Sequence, residues 1–403
     1  MRHFLTIICA CLLLAACHED EKEVTAPSRT VLVYVAGENT LSRFFSAELI
    51  DMIAGSQTMQ KGDNLVLYVD IADNMRNPYL INISQGDTAT FYRYPEDSYA
   101  SDPSVMADVI HRAFSAYPAD SYGLVLWGHA SGWLISNDSI SHSMMARRNA
   151  YGVDNGQNSS GTDTGKLMNI PTLAKVLQRS GYPLKFIFAD CCNFMCAEVA
   201  YELRNTADYI IGSPAEIPGV GAPYTTVVPA LFSRSEMFYK EIVDAYYEQT
   251  VGGHQVPLSV VKTSEMGNLA SQTRTALKAV DAEVRASGSS YPDMSGLIYY
   301  YSRKYQPTAN VMYDMNDFML RYAGSSYQAW REALDRAVVY KTMATTWETN
   351  GMITFDFDVT DERYGGLSMF VPQPPSFYNY MTYNENIKKM AWYYAVGLGD
   401  FFK

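Results

Sequence analysis

Lys185-Phe186-Ile187-Phe188-Ala189-Asp190-Cys191-Cys192 is an apolar run that stops at an acidic residue and two cysteines. Continuous apolar runs of this length are typical of strands buried on both faces of a parallel sheet. Four similar runs occur, at 30–35, 65–69, 124–127 and 209–211, and stretches with helical spacing lie among them, at 105–117 and 170–180. This alternation over residues 30–215 predicts an α/β fold, a mostly parallel sheet flanked by helices on both faces.

Two residues that can carry chemistry directly follow predicted strands. Catalytic groups of parallel sheets lie at the carboxyl ends of the strands. His129 follows the run 124–127, and the small residues around it let backbone and substrate approach closely. Cys192 follows the run 185–189 and precedes a stretch with a helical pattern, 196–204; a thiol near a helix N-terminus gains thiolate character. A nearby imidazole would complete a Cys–His nucleophile and base.

Each of these residues also has a purely structural interpretation. His129 can be a hydrogen-bonded loop histidine, and Cys192 can be a small buried hydrophobic residue. We assign Cys191 and Cys196 to the buried class. Since neighbouring strand positions alternate between faces, Cys191 points away from a cleft that Cys192 faces.

Composition and spacing exclude several other classes of protein. The six cysteines fall within 1–17 and 191–196, so none remains to build a disulfide framework, and no zinc-ligand spacing is present. The segment around Ser131 is not G-x-S-x-G, which argues against a serine hydrolase. A net charge of −12 argues against a general nucleic-acid binder, and 48% hydrophobic residues exclude a disordered chain.

The first 28 residues indicate export and anchoring. Residues 4–16 form an apolar run behind Arg2 that is too short to span a bilayer and fits a signal peptide. It ends in Leu14-Ala15-Ala16-Cys17, which resembles a bacterial lipobox, so we expect removal of residues 1–16 and lipidation of Cys17. The acidic tether 17–28 resembles the surface-export signals of bacterial lipoproteins, which favours an outer-membrane lipoprotein of the cell envelope. The alternative is plain secretion.

The pattern changes beyond residue 233. Long helical stretches occupy 236–250, 264–287 and 314–340, and strand-like runs follow at 352–359 and 367–371. We therefore predict one domain over 29–232 and a second, smaller α+β region over 233–403 packed on it.

Four segments in a fixed order carry a resemblance to a known family. They are Tyr34 to Leu41; Ala119 to Tyr122 with Leu126 to His129 and Gly132-Trp133; Asp190 to Cys192 with Glu198 to Leu203; and Gly212-Ser213 with Glu216 to Pro218 and Gly221 to Tyr224. On these segments, residues 30–224 resemble the clostripain-like cysteine peptidases, relatives of caspases, gingipains and legumains. Gly366 to Pro372 is similar to a late strand of that family.

The resemblance implies a caspase-like catalytic domain over 29–232 and a role for each matched residue. His129 would be the catalytic histidine and Cys192 the nucleophile that forms the acyl-enzyme. The backbone N–H groups of Ala130 and Cys192 would form the oxyanion hole, whose donors contribute about 3 kcal/mol each. Asp190 would lie at the specificity pocket and pair with an Arg or Lys of the substrate. Its structural alternative is a loop-bracing aspartate.

This sequence departs from the family at two positions. The family has glycine where this chain has Ala130, and a backbone that needs positive φ there would cost alanine about 1 kcal/mol and shift the oxyanion donor. The family has alanine where this chain has Cys191, a change expected to alter packing only.

The resemblance also has implications for proteolytic processing and for calcium binding. Relatives are cut after a basic residue between the histidine and cysteine segments, and Arg147-Arg148 occupy a suitable place in the polar stretch 141–165. The alternative for these arginines is surface charge. Some relatives bind calcium, but Asp154 and Asp163 fail the EF-hand spacing, so we assign no metal site or cofactor from the sequence and leave calcium as an unproven alternative.

The sequence thus predicts a lipid-anchored cysteine endopeptidase that cleaves peptides or proteins after Arg or Lys. A catalytically weak lipoprotein that uses the peptidase fold to bind peptides or surface proteins is the alternative, with Ala130 as its only support. A peptidase of changed specificity follows if Asp190 does not face the pocket.

Overall fold

A computed structural model of the chain describes residues 28–73, 76–135, 150–156, 161, 163, 165–249, 255–301, 310–349, 352–353, 358–377 and 382–402. The predicted signal peptide 1–16, the lipidation site Cys17 and the processing site Arg147-Arg148 lie outside these residues. Within the described ranges, no helix combines the length and the apolar character needed to cross a bilayer.

Strands and helices alternate along the first half of the chain. The strands are β1 Arg29–Gly37, β2 Asn64–Ile71, β3 Tyr79–Ser84, β4 Asp87–Arg93, β5 Ser121–Gly128, β6 Tyr151–Asp154, β7 Lys166–Met168, β8 Leu184–Asp190, β9 Ala207–Gly212, β10 Leu258–Lys262, β11 Tyr299–Tyr301, β12 Met312–Asp314, β13 Val338–Thr342, β14 Glu348–Thr349, β15 Met352–Ile353 and β16 Ser368–Met369. The helices are α1 Phe45–Ser56, α2 Pro103–Ala116, α3 Ile170–Arg179, α4 Ala197–Glu202, α5 Tyr224–Leu231, α6 Phe238–Tyr247, α7 Met266–Ala286, α8 Met315–Tyr322, α9 Tyr327–Ala337, α10 Tyr383–Asn386 and α11 Ala391–Ala395.

The central sheet has the order β13-β10-β9-β8-β5-β1-β2-β3-β4. The five middle strands, from β9 to β2, are parallel, and the two strands at each edge run antiparallel to their neighbours. The predicted fold class is therefore confirmed. All five strands predicted within residues 30–215 lie in this parallel centre, where both faces are buried.

The two faces of the sheet bury two separate cores. On one face, Leu32, Tyr34 and Ala36 of β1 pack into a core that also contains residues of α2, α3, α4 and α7. On the other face, the alternate residues Val31, Val33 and Val35 pack into a core that also contains residues of α1, α5 and α6. Helices cover both faces, as predicted. This is why β1 is apolar at every position from Val31 to Ala36.

Two elements of the C-terminal half differ from the sequence prediction. The stretch 314–340, predicted as one helix, forms α8 and α9 with a break at Gly324, whose φ is +52°, and its last residues begin β13. β10 and β13 then join the central sheet beside β9. Residues from beyond 233 thus complete the sheet that carries the first half of the chain.

Candidate active site

A cleft lies at the carboxyl ends of β5 and β8. His129, Cys192 and Asp190, the three residues singled out from the sequence, line this one cleft together with Asp163 and Glu216. β5 and β8 are adjacent parallel strands, with Trp127 opposite Asp190. The residues that follow these strands therefore emerge side by side, as the strand order requires.

The loop that carries His129 packs directly on the turn that carries Cys192. Gly132 has a φ of +60°, and a Cβ placed there would lie 2.6 Å from the Asn193 carbonyl oxygen and 3.2 Å from Cys196 Sγ. Only glycine permits this approach. On its other side, the loop accepts a hydrogen bond from Gly152 N–H to the His129 carbonyl at 2.8 Å.

One nitrogen of the His129 ring is held by two side chains. Nε2 lies 3.2 Å from Asp163 Oδ1 and 3.1 Å from Thr40 Oγ1, and the Thr40 hydroxyl donates to the same carboxylate oxygen at 2.8 Å. Burial opposes ionisation of Asp163, but hydrogen bonds from His129 and Thr40, with the charge of a protonated His129, lower the pKa of Asp163 to about 2. An anionic carboxylate therefore fixes the ring orientation and leaves Nδ1 for another partner.

A buried carboxyl cluster holds the loop that carries Thr40. Oxygen atoms of Glu38, Asp70 and Asp154 lie within 4.8 Å of one another. Burial, followed by the charges of its acidic neighbours, raises the pKa of Asp70 well above its usual value, and Glu38 hydrogen-bonds to Asp154. Asn39 then donates to the Ala36 and Val153 carbonyls, at 2.9 and 2.7 Å.

Both aspartates of this cluster accept hydrogen bonds from backbone or side-chain donors. Asp154 Oδ1 already accepts from Gly156 N–H at 2.8 Å, its Oδ2 accepts from Ala100 N–H, and Asp70 Oδ2 accepts from the Tyr68 hydroxyl at 3.0 Å. These carboxyl groups are committed to hydrogen bonds that brace the ends of β2 and β6.

The turn that carries Cys192 is fixed by its neighbour. Asn193 adopts a left-handed backbone with φ +53°; its N–H donates to the Ala215 carbonyl at 2.8 Å, and its amide donates to the Pro214 and Tyr300 carbonyls. Asparagine tolerates this conformation better than most residues. Cys192 Sγ, partly exposed in the cleft, accepts a hydrogen bond from Ile217 N–H at 3.5 Å.

The expected helix behind Cys192 is shorter and later than the sequence pattern indicated. α4 begins at Ala197 and spans six residues, with Cys196 as its N-cap. Four residues, 193–196, separate Cys192 from it. The helix-dipole argument for the thiol is therefore wrong, and a peptide N–H, that of Ile217, is the group that donates to Sγ.

The other two cysteines of this segment are buried, as the alternation of strand faces predicts. Cys191 packs in the core on the opposite face of the sheet from the one that Cys192 contacts. Burial raises the pKa of the Cys191 and Cys196 thiols well above their usual value. Both are therefore unreactive thiols.

The substitution of glycine by Ala130 does not strain the backbone. Ala130 is absent from the left-handed region, which among non-glycine residues of the described chain holds Gln85, Ala150, Asn193 and Phe402. Ala130 pairs with Tyr151, and the hydrogen bonds on either side run from Gly152 to His129 and from Ser131 to Ala150. In such a pair the N–H groups point outward from the two strands, so the Ala130 amide is not consumed by pairing with β6.

Asp190 is a buried residue of the cleft lining. It is 3% exposed, and its Oδ2 accepts from Ala222 N–H at 3.1 Å and from the Tyr224 hydroxyl at 2.7 Å, while its Oδ1 has no partner. Burial raises the pKa of Asp190 to about 6, although both hydrogen bonds oppose the rise. A buried carboxylate with one free oxygen suits a cationic ligand.

Comparison with known proteins identifies the family. The model of the clostripain family matches residues 33–401, nearly the whole chain. The chain belongs to the clostripain family. It is a cysteine protease, a hydrolase, and the sequence-based identification is confirmed.

Two solved structures of C11 cysteine proteases resemble this clostripain-family protease over almost their full length. A secreted protease from Bacteroides thetaiotaomicron, in complex with an irreversible peptide inhibitor, is 31% identical with a TM-score of 0.75, over 93% of this chain and 99% of the other. An inactive zymogen from Parabacteroides distasonis is 27% identical with a TM-score of 0.73, over the same shares. No match was found among curated proteins.

Sequence reasoning brought His129, Cys192 and Asp190 of this clostripain-family protease to one cleft but missed residues that hold them. Thr40 lies in a segment quoted for the resemblance, yet nothing local connects it to a histidine 89 positions away. Asp163 was considered only for calcium. No sequence pattern pointed to Glu48 on α1, because the residue that hydrogen-bonds to it, Trp127, is 79 positions away in the chain.

Proposed function

We propose that the chain is an endopeptidase that cleaves after Arg or Lys, with Cys192 as nucleophile and His129 as general base. The carrying observation is that a partly exposed thiol, a histidine oriented by a carboxylate and a buried unpaired carboxylate oxygen line one cleft. The thiol and the histidine supply the nucleophile and the base for acyl transfer, and the carboxylate oxygen can bind a basic side chain of the substrate.

The chemistry follows the geometry. With Nε2–H donating to Asp163, Nδ1 of His129 accepts the thiol proton, and Cys192 Sγ attacks the substrate carbonyl carbon. The Ala130 and Cys192 N–H groups stabilise the developing oxyanion. The imidazolium then returns its proton to the leaving amine as the C–N bond breaks, and a water, deprotonated by His129, hydrolyses the thioester.

Hydrolysis of fluorogenic peptides that differ only in the residue before the cleaved bond tests this proposal. We expect turnover with Arg and Lys and at least a hundredfold lower kcat/KM with Leu or Asp, because a buried carboxylate left unpaired by a neutral side chain, or repelled by an acidic one, costs binding free energy. Preference for Leu or Asp would contradict the proposed specificity.

Asp163→Asn will lower kcat by about ten- to a hundredfold with little change in KM, because the amide no longer stabilises the imidazolium or holds its tautomer. Asp163 is a positioning residue, since it acts through His129. Measured kcat and KM on an arginyl peptide check this, and Asp163→Glu should restore part of kcat. Asp208→Asn, an exposed aspartate paired with Lys185, is the control. A variant that raised KM alone would show that Asp163 contacts substrate instead.

We further propose that the protease is a lipoprotein of the cell envelope, anchored through Cys17. The lipobox-like sequence and the acidic tether support this, as does the secreted location stated for the Bacteroides thetaiotaomicron relative.

Self-processing between Arg147 and Arg148 or just beyond them is the third part of the proposal, and it agrees with the zymogen form described for the Parabacteroides distasonis relative. Purified wild-type protein will separate into two fragments near residue 148, whereas Cys192→Ala will stay intact on denaturing gels. A double Arg147→Gln, Arg148→Gln variant should also stay intact. Clean cutting of Cys192→Ala in a protease-free preparation rules out self-processing.

A further inference from the structure

A second buried carboxyl lies behind the cleft, next to Asp190. Glu48 on α1 is 4% exposed; its Oε2 accepts a hydrogen bond from Trp127 Nε1, and its Oε1 has no partner. Trp127 and Gly221 both line the cleft. A Cβ placed on Gly221, whose φ is +66°, would lie 2.9 Å from Asp190 Oδ2 and 3.1 Å from Glu48 Oε1. The two carboxyls therefore flank the same point, and only glycine leaves that point open.

Within the part of the chain that the structure describes, this carboxyl pair has no basic counterpart. Among the described residues, no Lys, Arg or His forms an ion pair with Glu48 or Asp190, and no basic side chain lowers the pKa of either. Burying two acidic groups without a cation is costly. One carboxyl oxygen of each residue also lacks a hydrogen-bond donor. At the Gly221 position the unpaired oxygen is Glu48 Oε1, and the Asp190 oxygen there, Oδ2, already accepts from Ala222 and Tyr224; the unpaired oxygen of Asp190 is Oδ1.

We propose that Glu48 is a second specificity residue, which forms with Asp190 a two-carboxyl seat for the guanidinium group of a substrate arginine. A guanidinium has five N–H donors in a planar fork and can bond oxygens from two residues at once. A lysine ammonium is a compact charge, on a different stem, and satisfies the pair less completely. The inference rests on the proposed function, since it presumes that Asp190 faces the substrate side chain.

The state of the free pair supports this seat. Burial, followed by the charge of Asp190, raises the pKa of Glu48 to about 9, against the Trp127 hydrogen bond, whereas the pKa of Asp190 is about 6. The free pair therefore carries about one negative charge at neutral pH. A bound cation favours the ionised form of Glu48, lowers its pKa and releases its proton to solvent.

Few other groups near the pair titrate in this range. The hydroxyls of Tyr224 and Tyr246 face it from α5 and α6, and burial raises the pKa of each well above its usual value, so both stay neutral. Asp51 lies on the same helix as Glu48. His129, Asp163, Cys192 and Glu216 line the same cleft; the test removes the thiol by substitution and keeps the other three in every variant compared.

Calorimetric binding of acetyl-arginine amide to Cys192→Ala, in two buffers of different ionisation enthalpy at pH 8, tests the seat. We expect proton release that disappears in Cys192→Ala with Glu48→Gln, with affinity about ten- to a hundredfold weaker, the loss expected for one charge-assisted hydrogen bond. Acetyl-lysine amide should bind Cys192→Ala more weakly than acetyl-arginine amide does, and its affinity should fall less when Glu48 is replaced by Gln. Asp51→Asn, on the same helix and with the weakest of the four influences on the pKa of Glu48, should change affinity and proton release far less.

The outcomes separate the two proposals. If arginine binding depends on Asp190 but Glu48→Gln changes neither affinity nor proton release, the seat is wrong and the proposed specificity stands. If neither arginine nor lysine binds and the active enzyme cleaves no basic peptide, the proposed function fails. Gln can keep the Trp127 hydrogen bond. Should Glu48→Gln fail to fold, affinity of the Cys192→Ala protein for acetyl-arginine amide must still rise from pH 7.5 to 9, above the titration of Asp190, and a flat profile over that range overturns the seat.

Discussion

Cys192→Ala will abolish hydrolysis of arginyl and lysyl peptides. The loss should reach roughly five to six orders of magnitude in kcat, the scale seen when the nucleophile of a covalent protease is removed. Sγ is partly exposed in the cleft and receives the Ile217 N–H, whereas the other described cysteines are buried. Neither of the other two described thiols can take over the step. Initial rates on a fluorogenic arginyl peptide, with binding of acetyl-arginine amide as the test of folding, provide the measurement.

Cys191→Ala is the matched control for that variant. It removes the adjacent thiol, on the opposite face of the strand, and leaves a small apolar side chain in the core. We expect activity within a fewfold of the wild type. Full activity in Cys192→Ala, or its loss in Cys191→Ala with the fold intact, would contradict the assignment of the nucleophile.

Asp190→Asn will lower kcat/KM for arginyl and lysyl peptides by about a hundredfold or more. The variant removes the carboxylate that pairs with the substrate cation in a buried site, an interaction worth about 2–5 kcal/mol. Asparagine keeps an oxygen for the Ala222 and Tyr224 donors, so the pocket wall should stay in place. The slow rate on a leucyl peptide should hardly change, and equal losses on basic and leucyl peptides would indicate a structural aspartate instead.

The same carboxyl sets a pH dependence. Because burial raises the pKa of Asp190 to about 6, the group is neutral below that pH and anionic above it. Binding of a basic side chain requires the anion, so 1/KM for arginyl peptides should rise as pH increases through about 6. A leucyl peptide should show no such rise.

The parallel centre of the sheet was predictable, and its edges were not. β1, β2, β5, β8 and β9 are buried on both faces, so each appears in the sequence as an uninterrupted apolar run. β4 is largely exposed and has no continuous apolar run, because polar residues interrupt its Ala89 and Phe91, so an apolar-run search misses it. β13 follows α9 without an intervening loop, so its residues extended the predicted helix.

The residues of the site likewise divide into some that the sequence predicts and some that it does not. His129 and Cys192 each follow a recognisable strand, and the rule that active sites lie at the carboxyl ends of parallel strands brought them together. Thr40, Asp163 and Glu48 act through contacts with residues 79 to 123 positions away. Such contacts leave no periodic pattern. They exist only once neighbouring loops are packed.

Labelling with an irreversible arginyl peptide inhibitor that alkylates thiolates tests the central claim most directly. Intact-mass measurement and peptide mapping should show one inhibitor per chain, attached to Cys192, with labelling slowed in Asp190→Asn and abolished in Cys192→Ala. Such labelling requires a reactive thiol and an acidic pocket in the same cleft. Modification of Cys191 or Cys196, or equal rates for arginyl and leucyl inhibitors, would contradict the account.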